Sequence, residues 1–215
     1  MERKVSLSLY ILAFVLAVII FASGVFVADA FYSSRTEKLS FEISSLSAEL
    51  QTGQLILLSD DSNSFCPFYK SQLDKVETRV ASLGSDLIYM EEVQGIDNTE
   101  LKKEYFLLQI QAYFLSGEVN KRCNQGYKLV LYFYSNNDCS DCDKQGDELT
   151  KARFDLISKG ISVKVYSFDG AVDSPIVKSL IDKYKISSYP TLIVGNKTFV
   201  GYRNQQQLIS EIQQS

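Results

Sequence analysis

The 215-residue sequence predicts an α/β domain in its second half, preceded by a transmembrane helix and an α-helical hairpin or bundle region. Three observations predict this arrangement. Residues 7–27 form an almost unbroken apolar run, and apolar stripes with helical spacing follow between residues 31 and 121. From Tyr127 onward, short apolar strands alternate with helices. The predicted domains are therefore residues 1–30, 31–125 and 126–215.

The apolar run from Leu7 to Val27 is long enough to cross a membrane, because its 21 residues match a bilayer core of roughly 30 Å. A cleaved signal peptide is the alternative, since Ala28-Asp29-Ala30 resembles a cleavage site. The run exceeds the usual signal-peptide core of roughly 7–15 residues, which favours an uncleaved signal-anchor. Arg3 and Lys4 precede it, so we expect a single-pass cell-membrane protein with a cytoplasmic N-terminus and an extracytoplasmic C-terminal domain.

Three amphipathic helices are predicted after this anchor, over residues 31–58, 67–92 and 98–121, from apolar residues that recur every three or four positions. Asp97 is the predicted cap of the third helix. Residues 60–64 and 94–98 are the predicted breaks. Core packing explains such stripes most simply, and the alternative is a homodimer through a coiled coil of residues 31–58, although Gly53 interrupts that stripe.

The element order β-α-β-α-β-β-α is predicted for residues 126–215. Leu129–Tyr134 is a continuous apolar run typical of a buried strand, residues 142–159 suit a helix, and residues 161–166 alternate like a second strand. Ser174-Pro175 opens another helix, strands 191–194 and 198–200 form a hairpin, and residues 204–213 form the last helix. The crossover helix makes the first two strands parallel.

Composition excludes several kinds of function. The net charge is −4 and no basic run is longer than Lys121-Arg122, so nucleic acid is not an expected partner. The chain has no histidine, which removes serine–histidine catalysis, cysteine–histidine catalysis and histidine-based metal sites. The most informative feature that remains is the pair Cys139 and Cys142, three positions apart after the first strand.

The strand KLVLYFY before Cys139-x-x-Cys142, the segment KYKISSYPTLIV around Pro190, and Gly201 after the last strand together resemble the thioredoxin family over about 90 residues. The resemblance implies a thioredoxin-like fold and a thiol–disulfide oxidoreductase. It also implies that the bond before Pro190 is cis and that Tyr189 faces the substrate. An ordinary trans proline at a strand start is the alternative for Pro190.

A redox role for the cysteine pair has a physical basis. Cys139 is expected at the helix N-terminus, where the helix dipole and unpaired N–H groups favour a thiolate, which makes it the predicted nucleophile. Cys142, one turn inside the helix, is the predicted resolving thiol. An inert structural disulfide and a zinc site are the alternatives. No metal and no cofactor are expected, and the expected partners are protein thiols or disulfides and a membrane or extracytoplasmic redox partner.

An inert CxxC would leave a different function, a binding or assembly module that uses the groove beside Tyr189 and Pro190.

Acidic residues bear on the redox interpretation as well. Asp138, Asp141 and Asp143 surround the pair, and their negative charge is expected to raise the pKa of the cysteine thiol. The resulting hypothesis is a centre less oxidising than a periplasmic disulfide donor. The thioredoxin family often has a buried aspartate on the first strand. The corresponding position in this sequence is about Phe133, so that acid is missing.

Cys66 and Cys123 form a second candidate pair. Cys66 precedes the second helix and Cys123 follows the third, so an antiparallel helical hairpin brings them together. A structural disulfide is the first interpretation, and a second redox pair that exchanges electrons with Cys139 is the alternative.

Overall fold

The computed structural model describes residues 7–59 and 66–215, and the chain divides into two compact units, Met1–Glu42 and Ile43–Ser215. The described helices are α1 (Leu7–Ser59), α2 (Cys66–Ile88), α3 (Thr99–Cys123), α4 (Cys142–Ser158), α5 (Pro175–Tyr184) and α6 (Gln205–Gln213). The strands are β1 (Lys128–Tyr134), β2 (Val163–Asp169), β3 (Thr191–Val194) and β4 (Lys197–Val200). A π-helical turn, Tyr89–Val93, continues α2. The element order predicted after residue 126 is therefore confirmed.

Helix α1 is long and apolar enough to cross a membrane, a property that a signal sequence near an N-terminus shares. The predicted span 7–27 and the predicted helix 31–58 were expected as separate segments, but they form one continuous helix. The reason is local, because Ala28-Asp29-Ala30 contains neither glycine nor proline and alanine is the strongest helix former. The first predicted break, residues 60–64, lies outside the described residues.

The α2–α3 hairpin buries the predicted apolar stripes, with Leu83 and Leu108 almost fully enclosed. The predicted cap of α3 was wrong. Asn98 is the cap, since its side chain accepts a hydrogen bond of 3.0 Å from the Leu101 N–H, whereas Asp97 forms an ion pair of 3.4 Å with Lys102. Asn98 also stands one residue nearer the first helical turn, where the unpaired N–H groups lie.

The four strands form one sheet in the order β2-β1-β3-β4. Strands β1 and β2 are parallel, as the crossover predicts, and β3–β4 is the predicted antiparallel hairpin. Strand β2 begins at Val163, two residues later than predicted. The cause is the end of α4, where Gly160 has a φ of +80° and the Ile161 N–H bonds the Leu156 carbonyl at 2.9 Å, so Ile161 closes the helix.

Alternating residues place a hydrophobic core on each face of the sheet. Helices α4 and α6 cover one face, and its core comprises Val130, Tyr132, Leu149, Ala152, Leu156, Val163, Leu192, Val194, Leu208, Ile209 and Ile212. On the other face Phe133 packs against Phe168 with ring centroids 5.5 Å apart, and Phe168 contacts Phe106 of α3 at 5.9 Å. The helical hairpin therefore forms part of the α/β core.

Helix α3 also protects the outer edge of the sheet. Strand β2 is an edge strand, and the buried Gln109 side chain bonds both the N–H and the C=O of Ser167 at 2.8 Å each. This amide occupies the position that a neighbouring strand would take. An open edge is a template for unwanted strand pairing, and Gln109 blocks such pairing at Ser167.

A polar cluster joins the hairpin to the same strand. The Tyr166 hydroxyl donates to Glu77 at 2.5 Å and lies 2.7 Å from the Ser116 hydroxyl, while Lys164 forms an ion pair of 3.7 Å with Glu77. Burial, followed by the Glu77 charge, raises the pKa of Tyr166 well above its usual range. Tyr166 therefore remains a neutral donor, and the cluster satisfies polar groups that the docking of α2 and α3 removes from water.

Candidate functional site

Cys139 and Cys142 are joined by a disulfide in the turn that leads from β1 into α4, with their Cα atoms 5.5 Å apart. Cys142 is 4% exposed and Cys139 is half-buried, so Cys139 is the more accessible residue of the pair. Helix α4 begins at Cys142 with Asp141 at its cap. The predicted start of the helix at residue 142 is confirmed, whereas Cys142, expected one turn inside the helix, is its first residue.

The loop before Cys139 explains that difference. Asp138 has a φ of +52°, a left-handed conformation that aspartate tolerates better than most residues, and it turns the chain before the cysteine. The Cys142 N–H then faces the Cys139 carbonyl at 3.4 Å. Cys139 is thus held just outside the helix N-terminus, where the unpaired N–H groups point outward.

Two tyrosines lie beneath the cysteine helix. The Tyr132 hydroxyl donates to the Cys142 carbonyl at 2.6 Å, and its ring stacks on Tyr134 with centroids 5.6 Å apart. Burial raises the pKa of both hydroxyls, so both stay neutral. Phe133, the position compared with the family's buried acid, faces the opposite side of the sheet, and Tyr132 is the β1 residue that touches the cysteine turn.

A cavity of about 660 Å³ opens beside the disulfide, and both cysteines contribute to its wall. Its floor is formed by Tyr132 and Tyr134, and α4 provides one side. Another part of the wall comes from Glu91 and Glu92 in the π-helical turn that follows α2. The volume lies within the roughly 300–1,000 Å³ that is usual for ligand sites.

Glu91 connects the helical hairpin to the cysteine loop. Its carboxylate forms an ion pair of 2.5 Å with Lys102 of α3 and accepts a hydrogen bond of 3.2 Å from the Asn136 side chain, three residues before Cys139. Sequence reasoning missed this residue. A π-helical turn leaves no mark in an apolar stripe, although such turns often occur at functional sites.

Asp169, at the end of β2, is a buried carboxyl next to the same loop. Burial raises its pKa, while hydrogen bonds from the backbone N–H groups of Ala171 (2.9 Å) and Asn136 act in the opposite direction. It pairs with Tyr134 across the parallel β1–β2 ladder. Asp169 therefore ties the end of β2 to the segment that leads into the cysteine turn.

Tyr189 and Pro190 are joined by a cis peptide bond at the start of β3. The Pro190 carbonyl accepts a hydrogen bond of 2.8 Å from the Gly201 N–H. A Cβ atom at Gly170 would overlap the Tyr189 hydroxyl, so glycine there leaves room for the ring. Within the part of the chain that the structure describes, neither Tyr189 nor Pro190 lines the cavity beside the disulfide, and their substrate-facing role stays a prediction.

Cys66 and Cys123 are joined by the second disulfide, with Cα atoms 5.6 Å apart. It links the start of α2 to the end of α3 and so closes the hairpin. Whether this bond also exchanges electrons stays an open alternative. Across residues 7–59 and 66–215, no three acidic, cysteine or histidine side chains converge as a metal site would require.

Comparisons with known proteins find likenesses among solved structures alone. No family model and no curated protein matches the chain. Among solved structures, chloroplastic thioredoxin z matches with 19% sequence identity and a TM-score of 0.34, over 43% of this chain and 80% of the thioredoxin z chain. A thioredoxin is thus a distant structural neighbour, and the cysteine site itself carries the evidence for function.

Proposed function

We propose that this protein is a membrane-anchored, extracytoplasmic thiol–disulfide oxidoreductase of the thioredoxin-like type. The observation that carries the proposal is the Cys139–Cys142 disulfide, which spans a single turn at the start of α4 and forms part of a cavity wall. A short disulfide beside a cavity large enough for a substrate side chain is placed to exchange with another sulfur. A buried disulfide with a purely structural role would need no such opening.

The reaction uses two sulfur exchanges. In the reduced protein, the Cys139 thiolate attacks one sulfur of a substrate disulfide, that S–S bond breaks, and the departing thiolate takes up a proton. The Cys142 thiolate then attacks the Cys139 sulfur of the mixed disulfide and releases the second substrate thiol. Two electrons pass from protein to substrate, and the reverse sequence oxidises a substrate dithiol. A dithiol or disulfide partner restores the starting state.

Several contacts would assist this chemistry. The N–H groups at the start of α4 favour the thiolate of Cys139. The Tyr132 hydroxyl, bonded to the Cys142 carbonyl at 2.6 Å, holds the first turn of the helix during the exchange. Anchoring through α1 would confine the site to substrates near the membrane surface.

The test is a redox titration of the full chain in lipid nanodiscs. The protein is equilibrated in graded dithiol and disulfide buffers, free thiols are trapped with an alkylating reagent, and the labelled cysteines are located by mass spectrometry. We expect Cys139 and Cys142 to titrate reversibly while Cys66 and Cys123 stay protected. A Ser140→Ala variant is the control, because it changes the turn without removing a sulfur.

A second measurement follows turnover. The Cys142→Ser variant should accumulate a mixed disulfide with a cystine-linked peptide, since no second thiol can release it, whereas Cys139→Ser should accumulate none. If the Cys139–Cys142 bond resists reduction until the protein unfolds, the oxidoreductase proposal fails and the binding module replaces it. Labelling of intact cells with a membrane-impermeant thiol reagent after reduction tests the extracytoplasmic placement.

A further inference from the structure

The cavity beside the disulfide has an uneven distribution of charge. Four carboxylates line it, from Glu91, Glu92, Asp143 and Asp147, against one guanidinium, from Arg153. Glu91 is neutralised by Lys102 at 2.5 Å. Three carboxylates of the wall therefore remain against one cation of the wall, and outside it Lys151 of α4 attracts Asp147.

These three carboxylates face solvent. Glu92, Asp143 and Asp147 are all exposed, and no described residue forms an ion pair with any of them. They also belong to two different elements of the cavity wall, since Glu92 lies in the π-helical turn and Asp147 in α4. A cation inside the cavity would therefore meet negative charge from both elements.

The floor of the cavity is mainly apolar, in contrast to its charged rim. The stacked rings of Tyr132 and Tyr134 form it, and Val165 and the exposed Ile88 extend the apolar surface toward the hairpin. A side chain that matches both parts has an apolar stem and a cationic end. Lysine and arginine have this form, because they bury their methylene groups on apolar surface and keep the charge at the rim. Neutral tyrosine rings also attract a cation placed over their faces.

We propose that this cavity selects polypeptide substrates in which lysine or arginine lies close to the reacting cysteine. The inference rests on the proposed function, because the disulfide in the cavity wall is what requires a cysteine-containing occupant. The basic side chain lies on the tyrosine floor with its cation between Glu92 and Asp147. The neighbouring substrate sulfur is thereby held at Cys139.

The test compares exchange rates of the reduced full chain in nanodiscs of neutral lipid. Three probes are used: a cystine-linked peptide with lysines beside the cysteine, the same peptide with glutamates instead, and a small uncharged disulfide. We expect the lysine peptide to react about tenfold faster than the glutamate peptide at low ionic strength. This ratio should fall toward one in high salt, because the carboxylates are exposed and salt screens them.

Variants locate the effect. Glu92→Gln and Asp147→Asn should each lower the lysine-to-glutamate ratio by about two- to fivefold, the range expected for one exposed ion pair. Asp147→Lys should move the preference toward the glutamate peptide. Asp182→Asn is the matched control, since it removes an equally exposed carboxylate from α5, outside the cavity wall. All rates are divided by the rate of the same variant with the uncharged disulfide.

The outcomes separate the two proposals. If the uncharged disulfide reacts but both peptides react equally fast, the charge selection is overturned and the oxidoreductase function stands. If Asp182→Asn lowers the ratio as much as Asp147→Asn does, general charge explains the preference and the cavity assignment is wrong. If no probe exchanges, the proposed function itself fails. Glu92 and Asp147 lie on different elements, so one misfolded variant leaves the other as the test.

Discussion

Replacing Gln109 by leucine should destabilise the whole α/β unit, because one side chain closes the outer edge of its sheet. The substitution keeps the size of the side chain but removes both of its hydrogen bonds to Ser167, each 2.8 Å long. The Ser167 N–H and C=O then lose their partners beneath an apolar group. A buried polar group without a partner costs roughly 1–3 kcal/mol, so the two together cost about 2–6 kcal/mol.

That loss is a large share of the stability of a typical protein, which is roughly 5–15 kcal/mol. For a chain of this size it corresponds to a fall in melting temperature on the order of 10 °C. The assay is thermal unfolding of the full chain in nanodiscs, followed by circular dichroism. Hydrogen exchange of the peptide that covers residues 163–169 adds a local measurement, and its amides should exchange faster in the variant.

The control is Gln206→Leu, the same chemical change at an exposed position of α6. It should alter the unfolding free energy by less than about 0.5 kcal/mol. If Gln109→Leu unfolds at the wild-type temperature and its β2 amides remain protected, then Gln109 does not close the edge of the sheet, and its two hydrogen bonds contribute nothing to stability.

Three further predictions concern pH and the cysteines. Burial raises the pKa of Asp169 in the folded protein above its ordinary value of 3.8. The stabilisation that the protonated carboxyl gives is therefore complete below pH 3.8, and it is lost as the pH rises through the pKa of the folded protein. Urea unfolding between pH 4 and 8 should therefore show a decline that Asp169→Asn removes, and an equal decline in both proteins would contradict the assignment. Replacing both Cys66 and Cys123 by serine should lower the free energy of unfolding by about 4 kcal/mol, because their bond closes a loop of 57 residues. Calorimetry measures this loss. An unchanged exchange rate at Cys139 in that variant would support a structural bond, and a changed rate a second redox pair. Asp138→Asn should lower the pKa of the Cys139 thiol by less than about one unit, measured from the pH dependence of its alkylation rate, because it removes an exposed like charge; a higher thiol pKa would refute the role assigned to the acidic residues.

Sequence patterns were sufficient for the elements of the α/β half. A buried strand, a crossover helix and a hairpin each have a periodicity that local residues determine, so the order β-α-β-α-β-β-α could be predicted. The same patterns placed the cysteine pair after β1. They also placed the start of α4 at Cys142, but they gave no sign of the left-handed turn at Asp138 that precedes the cysteines.

The composition of the cavity could not be predicted in this way. Glu91 and Glu92 are separated from Cys139 by almost fifty positions, and they line the cavity from the π-helical turn that continues α2. The face of the sheet on which Phe133 lies could not be predicted for a similar reason. Residue counting cannot tell which face of β1 meets the cysteine helix, whereas in the folded chain Tyr132 faces it and Phe133 does not.

Residues close together in the chain were enough to predict the apolar run over 7–27, the helical stripes, the order of the strands along the chain and the Cys139-x-x-Cys142 pair. The folded chain was needed to show that α3 bonds the edge of β2 through Gln109, and that Glu91 and Glu92 join Asp147 of α4 in the wall of one cavity. These features depend on contacts between distant segments, and such contacts arise from burial and hydrogen-bond satisfaction across the whole fold, which no local pattern encodes.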